Sequence, residues 1–291
     1  MTASQHMVKA NGLRFRAMVE GPAEAPMVLL LHGFPEGAES WASQAKGLAE
    51  AGFLAVAPDL RGYGLTDAPE GVDSYGLTHL VEDVRGLIEA FGRKTAHVAG
   101  HDWGAIVGWF FAGEYPEMTT TWTALSVAHP AAVAKASRED PDQQARSSYV
   151  GLFLQEGKAE HVLADEDWMR LRAMYKFGPN PDAVPASVVA HFVRSLQRPG
   201  RMTAALNYYR ANLNVEGGAW SKLADLGDIT PSTLLLWGDE DPALGRKGVE
   251  ATPTFMKGPY RLEVLQGAGH WLQFERPAEV TSELLHHIRE A

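Results

Sequence analysis

The stretch Thr95-Ala96-His97-Val98-Ala99-Gly100-His101-Asp102-Trp103-Gly104-Ala105-Ile106-Val107-Gly108 changes character halfway along. It opens as a short apolar run with polar flanks and ends in a helical pattern, with Gly100 and Gly104 bracketing the change. Small residues two places either side of a central one mark a strand-to-helix turn so sharp that side chains there would collide. The turn forces the central residue outward, at the carboxyl end of a sheet and beside a helix N-terminus. That residue is commonly Ser; here it is Asp102. A carboxylate is already ionised at neutral pH and can attack an alkyl carbon without a base. The product would be a carboxylic ester of the protein, which water must cleave. A general base and an oxyanion hole are therefore expected elsewhere in the chain.

The composition suits that setting. With 291 residues, 45% hydrophobic and 21% charged, the chain has the make-up of a globular protein with one large α/β domain, or a domain with an insertion. A net charge of -10 argues against a nucleic-acid surface and against anionic membranes. The absence of cysteine excludes disulfides, thiolate nucleophiles and Cys-based zinc sites. No segment approaches the roughly 18 uninterrupted apolar residues of a membrane span, and no signal pattern opens the chain, so a cytoplasmic address is expected. Met1 to His6 lacks periodicity and reads as a leader outside the fold.

Outward from the central stretch, strands and helices alternate. Asn11-Gly12 predicts a hairpin within Val8–Val19, and Met27–Leu31 is a continuous apolar run like a strand buried on both faces. His32-Gly33-Phe34-Pro35-Glu36 must turn, because Gly followed by X-Pro cannot continue a strand; a cis Phe34–Pro35 bond would suit it. Helices are predicted over Ser40–Ala51, Leu77–Phe91 and Gly104–Tyr115, and strands over Phe53–Ala57 and Trp122–Val127. Such alternation predicts a parallel sheet with helices on both faces. From Ala131 to Ala219 the pattern is helical without strand runs, which reads as an all-helical lid inserted between core segments 1–130 and 220–291. Strands resume at Thr233–Trp237 and Arg261–Leu265, and a last helix runs from Pro277 to Arg289.

Three residues then share one sheet edge: Asp102, a carboxylate in Asp239-Glu240-Asp241, and His270 in Gly269-His270-Trp271. Open α/β sheets place their sites at the carboxyl ends of strands. The order nucleophile, acid, histidine resembles the α/β-hydrolase fold, and the resemblance covers nearly the whole chain. His32-Gly33-Phe34-Pro35-Glu36, Gly100-His101-Asp102-Trp103-Gly104, the late Asp loop and Gly269-His270-Trp271 are similar to the epoxide hydrolase branch. The resemblance implies a mostly parallel eight-stranded sheet flanked by helices, with a helical cap, and a reaction needing no metal or organic cofactor.

Among eleven histidines, His270 is the candidate base because its glycine-flanked loop follows the last strand; His286 and His287 read as solvated. For the acid, the resemblance implies Asp241, with Asp239 as the alternative. It also matches Leu206-Asn207-Tyr208-Tyr209-Arg210-Ala211-Asn212 to a lid segment carrying an acid tyrosine, Tyr209, while Tyr208 would serve the lid's own packing. The second acid tyrosine would be Tyr149, although its spacing to Gln155 is one residue longer than usual for the family. The backbone N–H groups of Phe34 and Trp103 are the expected oxyanion hole. Phe34, Trp103, Phe153, Met174 and Trp271 are candidates to line an apolar pocket for a small epoxide, with water as co-substrate.

Other functions compete. A haloalkane dehalogenase also uses an Asp nucleophile, and Trp103 could donate to halide, but Phe34 stands where the second donor often is. Haloacetate dehalogenases usually carry Arg after the nucleophile, where this chain has Trp103. A non-catalytic small-molecule receptor of the same fold is the reading from a different class. Oligomeric state, the epoxide attacked and its stereochemistry are not encoded in any legible motif.

Overall fold

A computed structural model describes residues 3–214, 216 and 218–290 of the chain. Asn11 and Gly12 both adopt positive φ, 44° and 74°, as a two-residue hairpin turn requires. They join β1 (Ser4–Ala10) to β2 (Leu13–Glu20). Pairing begins at Ser4↔Val19, which corrects the expected leader: Ser4, Gln5 and His6 are strand residues, while Met1 and Thr2 lie outside the described residues. The reason is the exposure of β1, which faces solvent over most of its length. A strand held by its backbone ladder, with no buried face, has no apolar alternation to read.

The rest of the first half follows in order: β3 (Met27–Leu31), α1 (Ala42–Glu50), β4 (Leu54–Pro58), α2 (Leu77–Ala90), β5 (Ala96–His101), α3 (Trp103–Glu114) and β6 (Thr119–Leu125). All residues of β3 and β4 are buried, which is why they read as unbroken apolar runs. Their side chains alternate between two cores. Leu29, Leu31 and Val56 join α2 and α3 on one face, whereas Val28, Leu30, Ala55 and Ala57 join Leu48 of α1 and the C-terminal helix on the other. The ladder of β6 ends at Leu125, short of the predicted Val127. Ser126 breaks it with φ 67°, yet Val127 and Ala128 stay buried, so the apolar pattern outlasts the strand.

Six helices then intervene without a strand among the described residues: α4 (Pro130–Glu139), α5 (Pro141–Arg146), α6 (Val150–Phe153), α7 (Lys158–Met174), α8 (Ala186–Leu196) and α9 (Arg201–Asn212). Non-helical backbone at residues 165–168 interrupts α7. The chain re-enters the sheet through β7 (Ser232–Gly238), α10 (Arg246–Ala251) and β8 (Tyr260–Leu265), and closes with α11 (Leu272–Glu275) and α12 (Pro277–Glu290). The eight strands lie in the order β1-β2-β4-β3-β5-β6-β7-β8. β1–β2 and β2–β4 pair antiparallel and the remaining pairs are parallel. This is the α/β-hydrolase fold with its mostly parallel eight-stranded sheet flanked by helices.

Two expectations need correcting. Tyr208 does not serve the helical stretch's own packing: its hydroxyl donates to the Arg61 carbonyl at 2.8 Å and its ring meets Tyr63 at 5.6 Å. It anchors α9 to the loop after β4. His287 is not solvated: it is buried on the inner face of α12, with Nε2 3.3 Å from the Ser232 carbonyl, whereas its neighbour His286 is exposed. One helical position separates a buried from an exposed face. Among the described residues, no helix is long and apolar enough to cross a membrane.

Candidate active site

The passage from β5 to α3 leaves no room for side chains at its two glycines. A Cβ at Gly104 would lie 2.1 Å from the Leu31 carbonyl oxygen, and one at Gly100 would lie 2.3 Å from that of Gly104. Between them Asp102 is held at φ 51°, ψ -118°. A positive φ at a residue with a Cβ costs about 1–3 kcal/mol and persists only where its surroundings impose it. Asp102 is buried, occupies the N-cap position of α3 without a capping hydrogen bond from its side chain, and accepts the Phe34 N–H on Oδ1 at 2.8 Å. The Phe34–Pro35 bond that follows is cis. The first N–H groups of α3, Trp103 among them, lie at the positive end of the helix dipole and have no partner within the helix.

His270 approaches from the loop after β8. Its Nε2 is 3.6 Å from Asp102 Oδ2 and its Nδ1 is 2.9 Å from Asp241 Oδ2. Asp241 is fully buried, and its other oxygen accepts the N–H groups of Ala243 at 2.7 Å and Leu244 at 3.0 Å. Asp239, the alternative acid, turns to the base loop's backbone instead, accepting the Gly267 N–H at 2.7 Å. Burial pulls the Asp102 carboxyl upward, but hydrogen bonding and attraction from His270, with the Phe34 N–H, outweigh it and hold the carboxyl below its usual range. Burial likewise works against a charged His270. The Asp241 and Asp102 carboxylates together overcome it and lift the imidazole well above its ordinary value.

Sequence reasoning missed a buried polar network behind this trio. Glu36, quoted only as part of a turn, accepts the Gly33 N–H at 3.0 Å and meets His101 Nδ1 at 2.9 Å, while Gln273 Nε2 donates to its other oxygen at 2.7 Å. His101 Nε2 reaches the His270 carbonyl at 2.8 Å; a carbonyl only accepts, so this nitrogen carries a hydrogen. Ser126 Oγ donates to the same carbonyl at 2.9 Å. The signal available in the sequence was a Glu directly after a Gly-x-Pro turn, facing a His next to the central Asp. Its meaning depends on two loops meeting.

Facing Asp102 is a cluster of rings from both parts of the chain. Tyr209 of α9 packs edge-on against Trp103 at 5.0 Å, Phe34 at 5.4 Å and Phe153 at 4.9 Å, with Tyr149 at 6.3 Å. Burial, and then the negative charge of Asp102, raise the phenols of Tyr209 and Tyr149 well above their ordinary value, so both are neutral donors at any working pH. Trp271 sits apart, with Tyr175, Val184 and Phe192, its ring 5.0 Å from His270. Met174 is half-buried at the margin of the main core. The structure thus brings Asp102, His270, Asp241, Tyr209, Tyr149, Phe34, Trp103 and Phe153 together, places Trp271 behind the base, and leaves Met174 peripheral.

Known proteins resemble this chain over nearly its whole length. The family model of the α/β hydrolase fold matches residues 26–277. Epoxide hydrolase A of Mycobacterium tuberculosis is 35% identical, over 97% of this chain and 96% of its own length. The AB hydrolase superfamily protein YfhM of Bacillus subtilis is 33% identical over the same shares of the two chains, 97% and 96%. The crystal structure of epoxide hydrolase A from Mycobacterium thermoresistibile superposes with a TM-score of 0.84 at 33% identity, covering 99% of this chain and 98% of the other. On its fold, the arrangement of its site and these relatives, the chain belongs to the epoxide hydrolase family of the α/β-hydrolase fold.

Proposed function

We propose that this protein hydrolyses a small, largely apolar epoxide to a vicinal diol through an alkyl ester on Asp102. The observation that carries the proposal is the unequal placement of the two Asp102 oxygens beneath two neutral phenols. Oδ1 is held by the Phe34 N–H at 2.8 Å, whereas Oδ2 faces His270 at 3.6 Å. Oδ2 is then the attacking atom, and Oδ1 becomes the ester carbonyl already held by the Phe34 N–H.

The steps follow from these positions. Tyr209 and Tyr149 donate hydrogen bonds to the epoxide oxygen; Oδ2 forms a bond to a ring carbon, the ring C–O bond breaks, and one phenol proton passes to the released alkoxide. Ester formation removes the Asp102 charge, one of the two that keep His270 protonated. The imidazole becomes a weaker acceptor of its own proton, and the proton it sheds balances the one the phenol gave. Neutral His270, oriented by Asp241, then takes a proton from water as the water oxygen attacks the ester carbonyl. The N–H groups of Phe34 and Trp103 stabilise the resulting oxyanion; collapse expels the diol as an alkoxide that takes the proton back from His270, and the acid proton left on Asp102 passes to the imidazole, which restores the starting charges.

In this reading residues 131–219 form a cap that brings both phenols, residues 1–130 and 220–291 form the catalytic core, and Phe34, Trp103 and Phe153 line the substrate space. The protein would act in the cytoplasm. The test is intact-protein mass of the His270→Gln variant after exposure to an epoxide, a haloalkane or fluoroacetate. A gain equal to the whole epoxide, absent when Asp102→Asn is added, is expected. A gain equal to a haloalkane or haloacid minus hydrogen halide would make the protein a dehalogenase, and no adduct with any of them would favour a non-catalytic binder.

A further inference from the structure

The loop that carries His270 is tied down on both flanks by one carboxylate. Glu275, at the end of α11, accepts the Gly269 N–H on Oε2 at 2.7 Å and the Trp271 N–H on Oε1 at 3.0 Å. It therefore holds the N–H groups of the two residues that flank His270. Oε2 also receives a hydrogen bond at 2.7 Å from Asn180 Nδ2, which reaches the Gly267 carbonyl at 3.0 Å. Asn180 is not part of the sheet core; it belongs to the connection between α7 and α8 in the helical stretch. That connection lies directly on the base loop: a Cβ at Gly269 would stand 2.9 Å from Pro179 Cδ.

Asp241 restrains only the imidazole ring. The ring's position over Asp102 depends equally on the backbone from which it hangs, and hydrogen bonds from N–H groups to a carboxylate are the stronger, directional kind. Misplacing a catalytic group by about 1 Å can cost about 10²-fold in rate. We infer that Glu275 is a positioning residue for the base His270, and that Asn180 fixes Glu275, so that seating of the helical stretch on the core sets the base. The inference rests on the proposed covalent reaction only for the step it affects. His270 serves ester cleavage and not ester formation, so a displaced base slows the second step alone.

The experiment compares full-length wild type with Glu275→Gln and Asn180→Leu, each checked for unchanged thermal unfolding. Rapid quenching and intact-protein mass during a single turnover of an epoxide give both steps. Ester cleavage is expected to slow about 10- to 100-fold in Glu275→Gln and less in Asn180→Leu, with ester formation unchanged, so that kcat and KM fall together. A second readout needs no substrate: the low-field Nδ1–H proton resonance of His270 is expected to broaden in both variants. Equal slowing of both steps, or normal cleavage with an unchanged resonance, overturns the inference. If wild type forms no ester with any epoxide, the proposed reaction fails, and the resonance alone decides whether Glu275 positions the base.

Discussion

His270 Nε2 lies 3.6 Å from Asp102 Oδ2, so the imidazole sits against the Asp102 charge while Asp241 holds its other nitrogen at 2.9 Å. One imidazole between two carboxylates explains both the lowered Asp102 and the raised His270. In the proposed reaction it also separates a step that needs the Asp102 charge from a step that begins once that charge is gone.

The first expectation follows the oxygen atoms. In a single turnover in ¹⁸O-water, the diol should carry unlabelled oxygen and the label should enter the Asp102 carboxylate, detected in the peptide containing that residue. Label in the first diol formed would mean direct attack by water and would dismiss the ester.

Removing either phenol should impair only ring opening. Tyr209→Phe or Tyr149→Phe is expected to slow ester formation about 10²-fold, the usual scale for loss of a general acid, with cleavage of a preformed ester unchanged. Tyr149 is the more informative of the two, because its assignment rests on a segment whose spacing departs from the family's. A Tyr149→Phe variant with normal ester formation would remove it from the mechanism.

The charge arrangement sets a pH dependence of stability. A histidine raised in the folded state contributes stabilisation fully present below its unfolded value of about 6.5, and loses it as pH rises through the folded value. Asp102→Asn removes one of the two charges responsible for raising His270. The Tm difference between wild type and Asp102→Asn should therefore shift against wild type as pH climbs above neutrality. A pH-independent difference across the alkaline range would contradict the coupling. On the acid side the lowered Asp102 acts oppositely, its contribution disappearing as pH falls through the folded value, below about 3.9.

Glu36 should matter to stability more than its loop position suggests. It is buried, its oxygens accept from the Gly33 N–H and Gln273 Nε2, and Oε2 lies 2.9 Å from His101 Nδ1. Glu36→Ala strands several buried donors and is expected to cost about 3–5 kcal/mol in urea unfolding, with Glu36→Gln costing clearly less. A cost near zero for the Ala variant would show that water replaces the carboxylate freely.

What the sequence alone determined is the part written locally. Gly100-His101-Asp102-Trp103-Gly104 specifies its turn because any Cβ at the two glycines meets backbone within 2.3 Å. Met27–Leu31 and Leu54–Pro58 declare buried strands because both their faces are covered. His270 was legible as a glycine-flanked histidine after the last strand, since sheets of this kind gather such loops at one edge. Only the tertiary structure separated Asp241 from Asp239, two residues apart in one loop, by turning one toward His270 and the other toward the Gly267 N–H. It alone joined Glu36 to His101 and Asn180 to Glu275, and showed Ser4–His6 pairing with β2 and His287 buried. Turn sterics and burial patterns act between near neighbours and leave a mark in composition. A polar contact between distant loops is decided by where the packed helices and strands deliver the backbone, and no local pattern records that.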